Sequence, residues 1–224
     1  MLQMLKGYVQ LPETPVDDDV KLNVSQVIGH TRHKYKLFVG HVRRLRSQTR
    51  AIEGIFDELS KQCVQSKGSF VCGVMVVDFK MKFEVMSSRE TSLEHFGKRR
   101  IGWHSCALVY HLHEIIDDDG NYGPKEYRVY RDQIREGSNW QDGAAVLGLL
   151  EAALAVITIE LPFVEEIILQ LDNAKSYQNH FLTIRIYLLN IQFRNRIFVC
   201  QCVHTETQGG KTIVNSHFGH CRRN

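Results

Sequence analysis

Two aspartates follow short apolar segments that have the composition of buried strands. Residues 70–77 are rich in valine and are followed by Asp78, and residues 164–171, rich in isoleucine and leucine, are followed by Asp172. Segments of this kind predict central strands that are buried on both faces. Ligands of α/β sheets bind outside the carboxyl ends of the strands. If the two strands are neighbours, the two carboxylates are therefore predicted to converge.

A converging pair of buried carboxylates requires a cation, because repulsion and lost hydration both disfavour the charged pair. Mg²⁺ or Mn²⁺ is the expected ion, since hard cations prefer carboxylate oxygens. Two such ions about 4 Å apart can activate water and stabilise the leaving oxygen in phosphodiester cleavage. The residues alone leave one alternative open, in which either aspartate caps the turn that follows it, as Asp172 is placed to do.

Three segments of the chain resemble the RNase H-like catalytic cores of eukaryotic cut-and-paste transposase-derived proteins of the DDE/D type. They are VVDFKMKFE at 76–84, QLDNAKSYQN at 170–179 and HTETQGGK at 204–211. The resemblance extends from about Tyr35 to the end. It implies a mixed five-stranded sheet flanked by helices, a DNA substrate and a divalent metal. It also implies a nuclear location, with the cytoplasm as the alternative, and Asp78 and Asp172 as the first two acids of a carboxylate triad.

The third acid of that family pattern lies on the helix after the last core strand, where this chain has Asn215. An amide oxygen can ligate a divalent ion, but it carries no charge and holds the ion less strongly. Glu206 is the nearest substitute carboxylate, although a solvated loop acid is the simpler interpretation. We therefore expect a DNA nuclease or strand-transferase core that Asn215 impairs. The alternative is a catalytically inactive DNA- or protein-binding module that retains the fold.

Basic side chains are concentrated in residues 31–50, which contain no acid. A strip of positive charge favours a polyanion, since phosphate contacts release counterions. Arg43, Arg46 and Arg50 are accordingly predicted to bind nucleic acid, and a solvated helix face is the open alternative. Lys211 follows two glycines that allow close approach of the backbone, which predicts a further phosphate contact. A simple turn before the last helix explains those glycines equally well.

The periodicity of the apolar residues predicts an α/β fold with an N-terminal amphipathic helix. Residues 1–34 are expected to be a loosely ordered leader or a piece of an upstream region, and residues 35–224 an RNase H-like domain that is truncated at its C-terminus. Asp78 is expected to end the first strand, with a second strand through 80–85. The remaining predicted elements are helices at 35–63, 141–160, 173–189 and 211–220 and strands at 102–114, 127–134, 164–171 and 197–203.

The composition, with 224 residues of which 43% are hydrophobic and 24% charged, fits one domain with a sizeable core. The most apolar stretch, residues 143–161, contains Glu151 and Glu160, so no membrane association is expected. Six cysteines predict reduced thiols. A zinc site can be drawn from residues of the C-terminal region, although their spacing is not that of a zinc finger and packing is the simpler interpretation. Its members would be Cys200, Cys202, His217, His220 and Cys221. Homo-oligomerisation is left open.

Overall fold

Five strands and four helices make up the part of the chain that the structure describes. The computed structural model describes residues 18–83, 101–135, 142–172, 174, 176–178, 180–194, 196–205 and 212–221. In chain order the elements are α1 (Asp18–Ser66), β1 (Val71–Phe83), β2 (Ile101–Ile115), β3 (Tyr122–Arg135), α2 (Gly143–Glu160), β4 (Val164–Asp172), α3 (His180–Gln192), β5 (Phe198–Thr205) and α4 (Ile213–Cys221).

The five strands form one mixed sheet in the order β3-β2-β1-β4-β5. Strand β2 is antiparallel to both β1 and β3, whereas β4 is parallel to both β1 and β5. A meander of three strands is thus extended by two crossover connections that contain helices. The predicted fold class is confirmed, since this is an α/β fold with an RNase H-like arrangement of strands.

The larger core lies between the sheet and the helices α2 and α3. Met75 and Val77 of β1 are buried there with Leu150 and Leu154 of α2 and Leu182 of α3. Burial of a side chain of this size contributes about 1.5 to 3 kcal/mol. This core therefore holds β1 at the centre of the sheet, where the strand is covered on both faces.

The opposite face of the sheet, which we call the α4 face, packs against α4 and the last turns of α1. Val76 of β1 and Ile168 of β4 form a cluster there with Val214 and Phe218 of α4. Successive side chains of a strand point to opposite faces. Residues at even positions of β1 therefore point to the α4 face, and Asp78 is the first charged residue among them.

Helix α1 begins at Asp18, 17 residues before the predicted start at Tyr35 (35 − 18 = 17). Residues 18–34, which the sequence analysis assigned to a loosely ordered leader, are thus helical, and residues 1–17 lie outside the described residues. Acidic residues at 17–19 favour a helix start because negative charge complements the helix dipole. The chain divides into two compact units, Met1–Arg46 and Ser47–Asn224.

Strand β1 does not end at Asp78 but continues to Phe83 as one strand. The predicted break at Asp78 and the separate strand at 80–85 are corrected accordingly. Asp78 pairs with Ser105 and the antiparallel ladder to β2 runs on through Lys80. Only the parallel ladder to β4 stops before Asp78, since its last pair is Val77 with Leu171. The backbone of β1 thus keeps its partner strand beyond the point where the parallel strand stops.

Helix α2 begins at Gly143, directly after an aspartate that caps it. Asp142 is its N-cap, and its side chain accepts a hydrogen bond of 2.8 Å from the backbone N–H of Ala145. By length and composition alone this helix is apolar enough to cross a membrane, and 33% of it is buried inside the protein. The buried positions include Val146, Leu150 and Leu154, which face the sheet.

Candidate metal centre

Asp78 and Asp172 lie side by side on neighbouring strands. Val77 of β1 pairs with Leu171 of β4 in parallel register, and each aspartate is the next residue of its strand. Asp172 lies four residues after Ile168, so by strand alternation it points to the α4 face, as Asp78 does. Both side chains are half-buried. The structure therefore brings these two predicted site residues together.

The carboxyl group of Asp78 is hard to ionise in this position. Burial and, to a smaller extent, the nearby charge of Asp172 raise its pKa to about 6, although hydrogen bonds from the Phe79 backbone and the Asn215 side chain act to lower it. Desolvation and a neighbouring like charge both disfavour a carboxylate. A bound cation would remove both penalties, so the pair has the electrostatics of a cation site.

Asn215 reaches the pair from the first turn of α4. Its backbone N–H donates to Thr212 Oγ1 at 3.2 Å, which caps the helix, and Val214 and Phe218 anchor α4 to the sheet. The side chain of Asn215 hydrogen-bonds to Asp78 through its amide. The two aspartates predicted at the metal position and the residue at the third acidic position therefore meet in one place.

The other predicted site residues lie on α1 or outside the described residues. Arg43 and Arg46 are exposed on α1 in the first compact unit, and Arg50 is exposed on the same helix in the second unit. Glu206 and Lys211 lie outside the described residues. Their predicted roles stay predictions.

Tyr177 is a site residue that the sequence analysis missed. Its side chain is only 2% exposed, its hydroxyl has no hydrogen-bond partner among the described residues, and its ring packs on Phe79 at 5.9 Å. Burial raises the pKa of this phenol, and the charges of Asp78 and Asp172 raise it further, so the hydroxyl stays protonated close to the carboxylates. The residue lies within the distinctive segment at 170–179, which was the only signal for it.

We expect Tyr177→Phe to stabilise the protein by about 1 kcal/mol, because a buried hydroxyl without a partner costs about 1 to 3 kcal/mol. The phenylalanine keeps the ring contact with Phe79. Urea unfolding in the presence of a chelator measures the change, and Tyr187→Phe on the exposed side of α3 is the matched control. A loss of stability in Tyr177→Phe would show that the hydroxyl is satisfied in the folded protein.

His104 of β2 is buried beside Phe79 and Tyr177, with ring centroids 4.8 Å and 6.5 Å away. Even and odd positions of β2 point to opposite faces, and His104 is 1% exposed. Its Nδ1 lies 2.8 Å from Gln133 Oε1, while Gln133 Nε2 donates to a backbone carbonyl of α2 at 2.8 Å. Gln133 therefore accepts from a protonated Nδ1. Burial lowers the pKa of His104 to about 4, so the ring is neutral near pH 7.

The zinc set that could be drawn from the C-terminal region does not assemble. His217 lies 2.8 Å from Asp132 on β3, and Cys221 Sγ lies 3.6 Å from the same His217 nitrogen. Cys200 and Cys202 are on β5, at the other edge of the sheet. Sequence spacing could not separate these residues, because the strand order decides which of them are neighbours.

No protein-family model matches this chain, and a search of curated proteins returned no match either. The fold and the grouping of Asp78, Asp172 and Asn215 therefore carry the functional argument.

Proposed function

We propose that this chain is the catalytic core of a metal-dependent DNA nuclease or strand transferase of the transposase-derived type, weakened by Asn215. The observation that carries the proposal is the pair formed by Asp78 and Asp172, which lie side by side where the parallel ladder between β1 and β4 ends. The RNase H-like strand order supports it, because this is the edge at which α/β sheets bind ligands.

Asp78 and Asp172 would hold Mg²⁺ or Mn²⁺, since two carboxylates form a hard, anionic donor set. The side-chain N–H of Asn215 donates a hydrogen bond to Asp78. The amide group would therefore have to rotate before its oxygen could bind the ion. When bound, the ion supplies activation of a water molecule and stabilisation of the leaving oxygen in phosphodiester cleavage. The chain itself contributes the alignment of the donors, through the parallel register of β1 and β4 and the capped first turn of α4.

The DNA partner is proposed from charge. Arg43, Arg46 and Arg50 are exposed on α1, so their guanidinium groups are available to phosphate. Glu206 and Lys211 are retained in the proposal as a substitute carboxylate and a phosphate contact. A nuclear location and self-association agree with DNA strand transfer and are part of the same proposal.

The proposal is tested by nicking of supercoiled plasmid with Mg²⁺ or Mn²⁺. Wild-type protein should nick, and Asp78→Ala and Asp172→Ala should fall to the rate seen with a chelator. Asp57→Ala, an exposed acid of α1, is the matched control and should nick as wild type does. Activity that survives both site variants would exclude the nuclease proposal.

The second candidate is a DNA- or protein-binding module that retains the fold without catalysis. Its specific support is the hydrogen bond from Asn215 to Asp78, because an amide donor partly replaces the cation that a third acid would require. This candidate predicts metal-independent DNA binding that is weakened by Arg→Gln changes at Arg43 and Arg46 and insensitive to changes at Asp78. A gel-shift titration with and without Mg²⁺ separates it from the nuclease.

A further inference from the structure

A second group of metal-ligating side chains lies on the α4 face, towards the beginning of β1. The Sγ atoms of Cys72 and Cys200 and a carboxylate oxygen of Glu166 lie within 4.8 Å of one another. Cys72 precedes Asp78 by six residues (78 − 72 = 6), a distance of about 20 Å along the strand. This group is therefore separate from the paired aspartates and does not depend on the function proposed for them.

An irregularity in the ladder between β4 and β5 brings Cys200 into the group. Ile167 pairs with Val199 and the next residue, Ile168, pairs with Gln201, so Cys200 is an extra residue between the two pairs. An extra residue of this kind, a β-bulge, re-aims side chains and is common beside functional sites. The bulge explains how the sulfur of an edge strand reaches a cysteine two strands away.

The sheet keeps the two cysteines from forming a disulfide. Strand β4 lies between β1 and β5, so their backbones are two strand spacings apart, about 9.5 Å. A disulfide needs Cα atoms within about 7 Å, and both cysteines are free thiols. A tetrahedral zinc ion, with Zn–S of about 2.3 Å and Zn–O of about 2.0 to 2.2 Å, holds its ligand atoms about 3.6 to 3.8 Å apart. A zinc ion can therefore bind both sulfur atoms, although the backbones of the two cysteines are too far apart for a disulfide.

The charges of the group also favour a cation. The carboxylate of Glu166 lies within 4.8 Å of both sulfur atoms, and a negative charge at this distance disfavours a thiolate. Glu166 thus opposes ionisation of the sulfurs, and a divalent ion reverses this by attracting all three donors. Two of the three donors are soft sulfur atoms, so Zn²⁺ is favoured over Mg²⁺ or Ca²⁺.

We propose that Cys72, Glu166 and Cys200 form a Zn²⁺ site whose fourth position is open to water. Cys200 is exposed and Glu166 is half-buried, which provides access for the ion, while Cys72 is buried and anchors the site in the sheet. Binding displaces the thiol protons into solvent. The bound ion ties β1, β4 and the edge strand β5 together.

The test is a titration of the reduced, chelator-stripped full chain with Co²⁺, followed by competition with Zn²⁺. We expect one equivalent of Co²⁺ to produce a thiolate-to-cobalt charge-transfer absorption, which one equivalent of Zn²⁺ removes. Cys200→Ser and Cys72→Ser should each weaken binding by at least about tenfold, since even partners of metal ligands cost 10- to 100-fold. Cys200 is exposed, so its variant keeps the test decisive if a change at buried Cys72 disturbs folding.

Two matched variants control for the other thiols. Cys202 lies two residues further along β5 and pairs with Leu169 of the larger core, and Cys221 belongs to the group with Asp132 and His217. Cys202→Ser and Cys221→Ser should both keep the cobalt absorption and its stoichiometry. The proposal is overturned if Cys200→Ser binds Co²⁺ as wild type does, if Cys221→Ser alone removes the absorption, or if wild type binds no Co²⁺.

Discussion

Asp78→Asn is expected to stabilise the metal-free protein by about 3 kcal/mol at pH 7. Burial and the charge of Asp172 raise the pKa of this carboxyl to about 6 from its ordinary value of 3.8. Each pKa unit corresponds to about 1.4 kcal/mol. Asparagine has a similar shape and no charge to desolvate. The wild-type protein thus holds a destabilising carboxylate, which is expected of a group kept for binding a cation.

The gain from Asp78→Asn should depend on pH. Because the folded-state pKa of Asp78 lies above the unfolded value, the folded state binds the proton more tightly, and this stability is lost as pH rises from about 4 through 6. The difference between variant and wild type should therefore be small at pH 4 and reach its plateau above pH 6. Because the pKa of His104 is lowered, its contribution to stability rises with pH between about pH 4 and 6.5. The pH dependence of wild-type stability alone would therefore conceal the contribution of Asp78.

Urea unfolding with a chelator at pH 4, 5, 6 and 7 measures this difference, and Asp57→Asn on the exposed side of α1 is the control. Addition of Mg²⁺ should stabilise wild type but not Asp78→Asn, because ligand binding to the folded state raises its stability. If the difference in unfolding free energy between Asp78→Asn and wild type does not vary with pH, the destabilisation does not come from ionisation of Asp78.

Asn215→Asp is expected to raise the affinity for Mg²⁺ by about 100-fold and to raise the rate of plasmid nicking with it. A unit charge about 4 Å from a divalent ion contributes on the order of 8 kcal/mol at an effective dielectric constant of 20. Repulsion from Asp78 and Asp172 and loss of the amide contacts offset more than half of this, which leaves roughly 3 kcal/mol, or about 100-fold in affinity. Without metal the same change should destabilise the fold, because a further negative charge joins Asp78 and Asp172.

The control for Asn215→Asp is Ser216→Asp, which adds the same charge at the next, exposed position of α4. Isothermal titration with Mg²⁺ and the plasmid assay should separate the two variants. If Asn215→Asp binds Mg²⁺ no better than Ser216→Asp and does not nick DNA, the inactive binding module is the better description.

Much of the arrangement around the aspartates could be predicted because its signals are local. A valine-rich strand that leads to Asp78, a second strand that leads to Asp172 and Asn215 on the last helix are all visible as short segments. The α/β fold follows from the alternation of helices and strands. Strand ends were predicted less well, since β1 continues past Asp78 where the ladder to β2 supports it.

The tertiary structure decided which distant residues meet. The approach of Tyr177 to the aspartates depends on the turn after β4, and the contact between Asp132 and His217 depends on α4 crossing the sheet. Cys72 and Cys200 meet through the strand order and a single extra residue in β5. Hydrophobic periodicity specifies which face of an element is buried. Register, strand order and bulges arise from the packing of the whole sheet, so the sequence alone does not disclose the neighbours of a polar side chain.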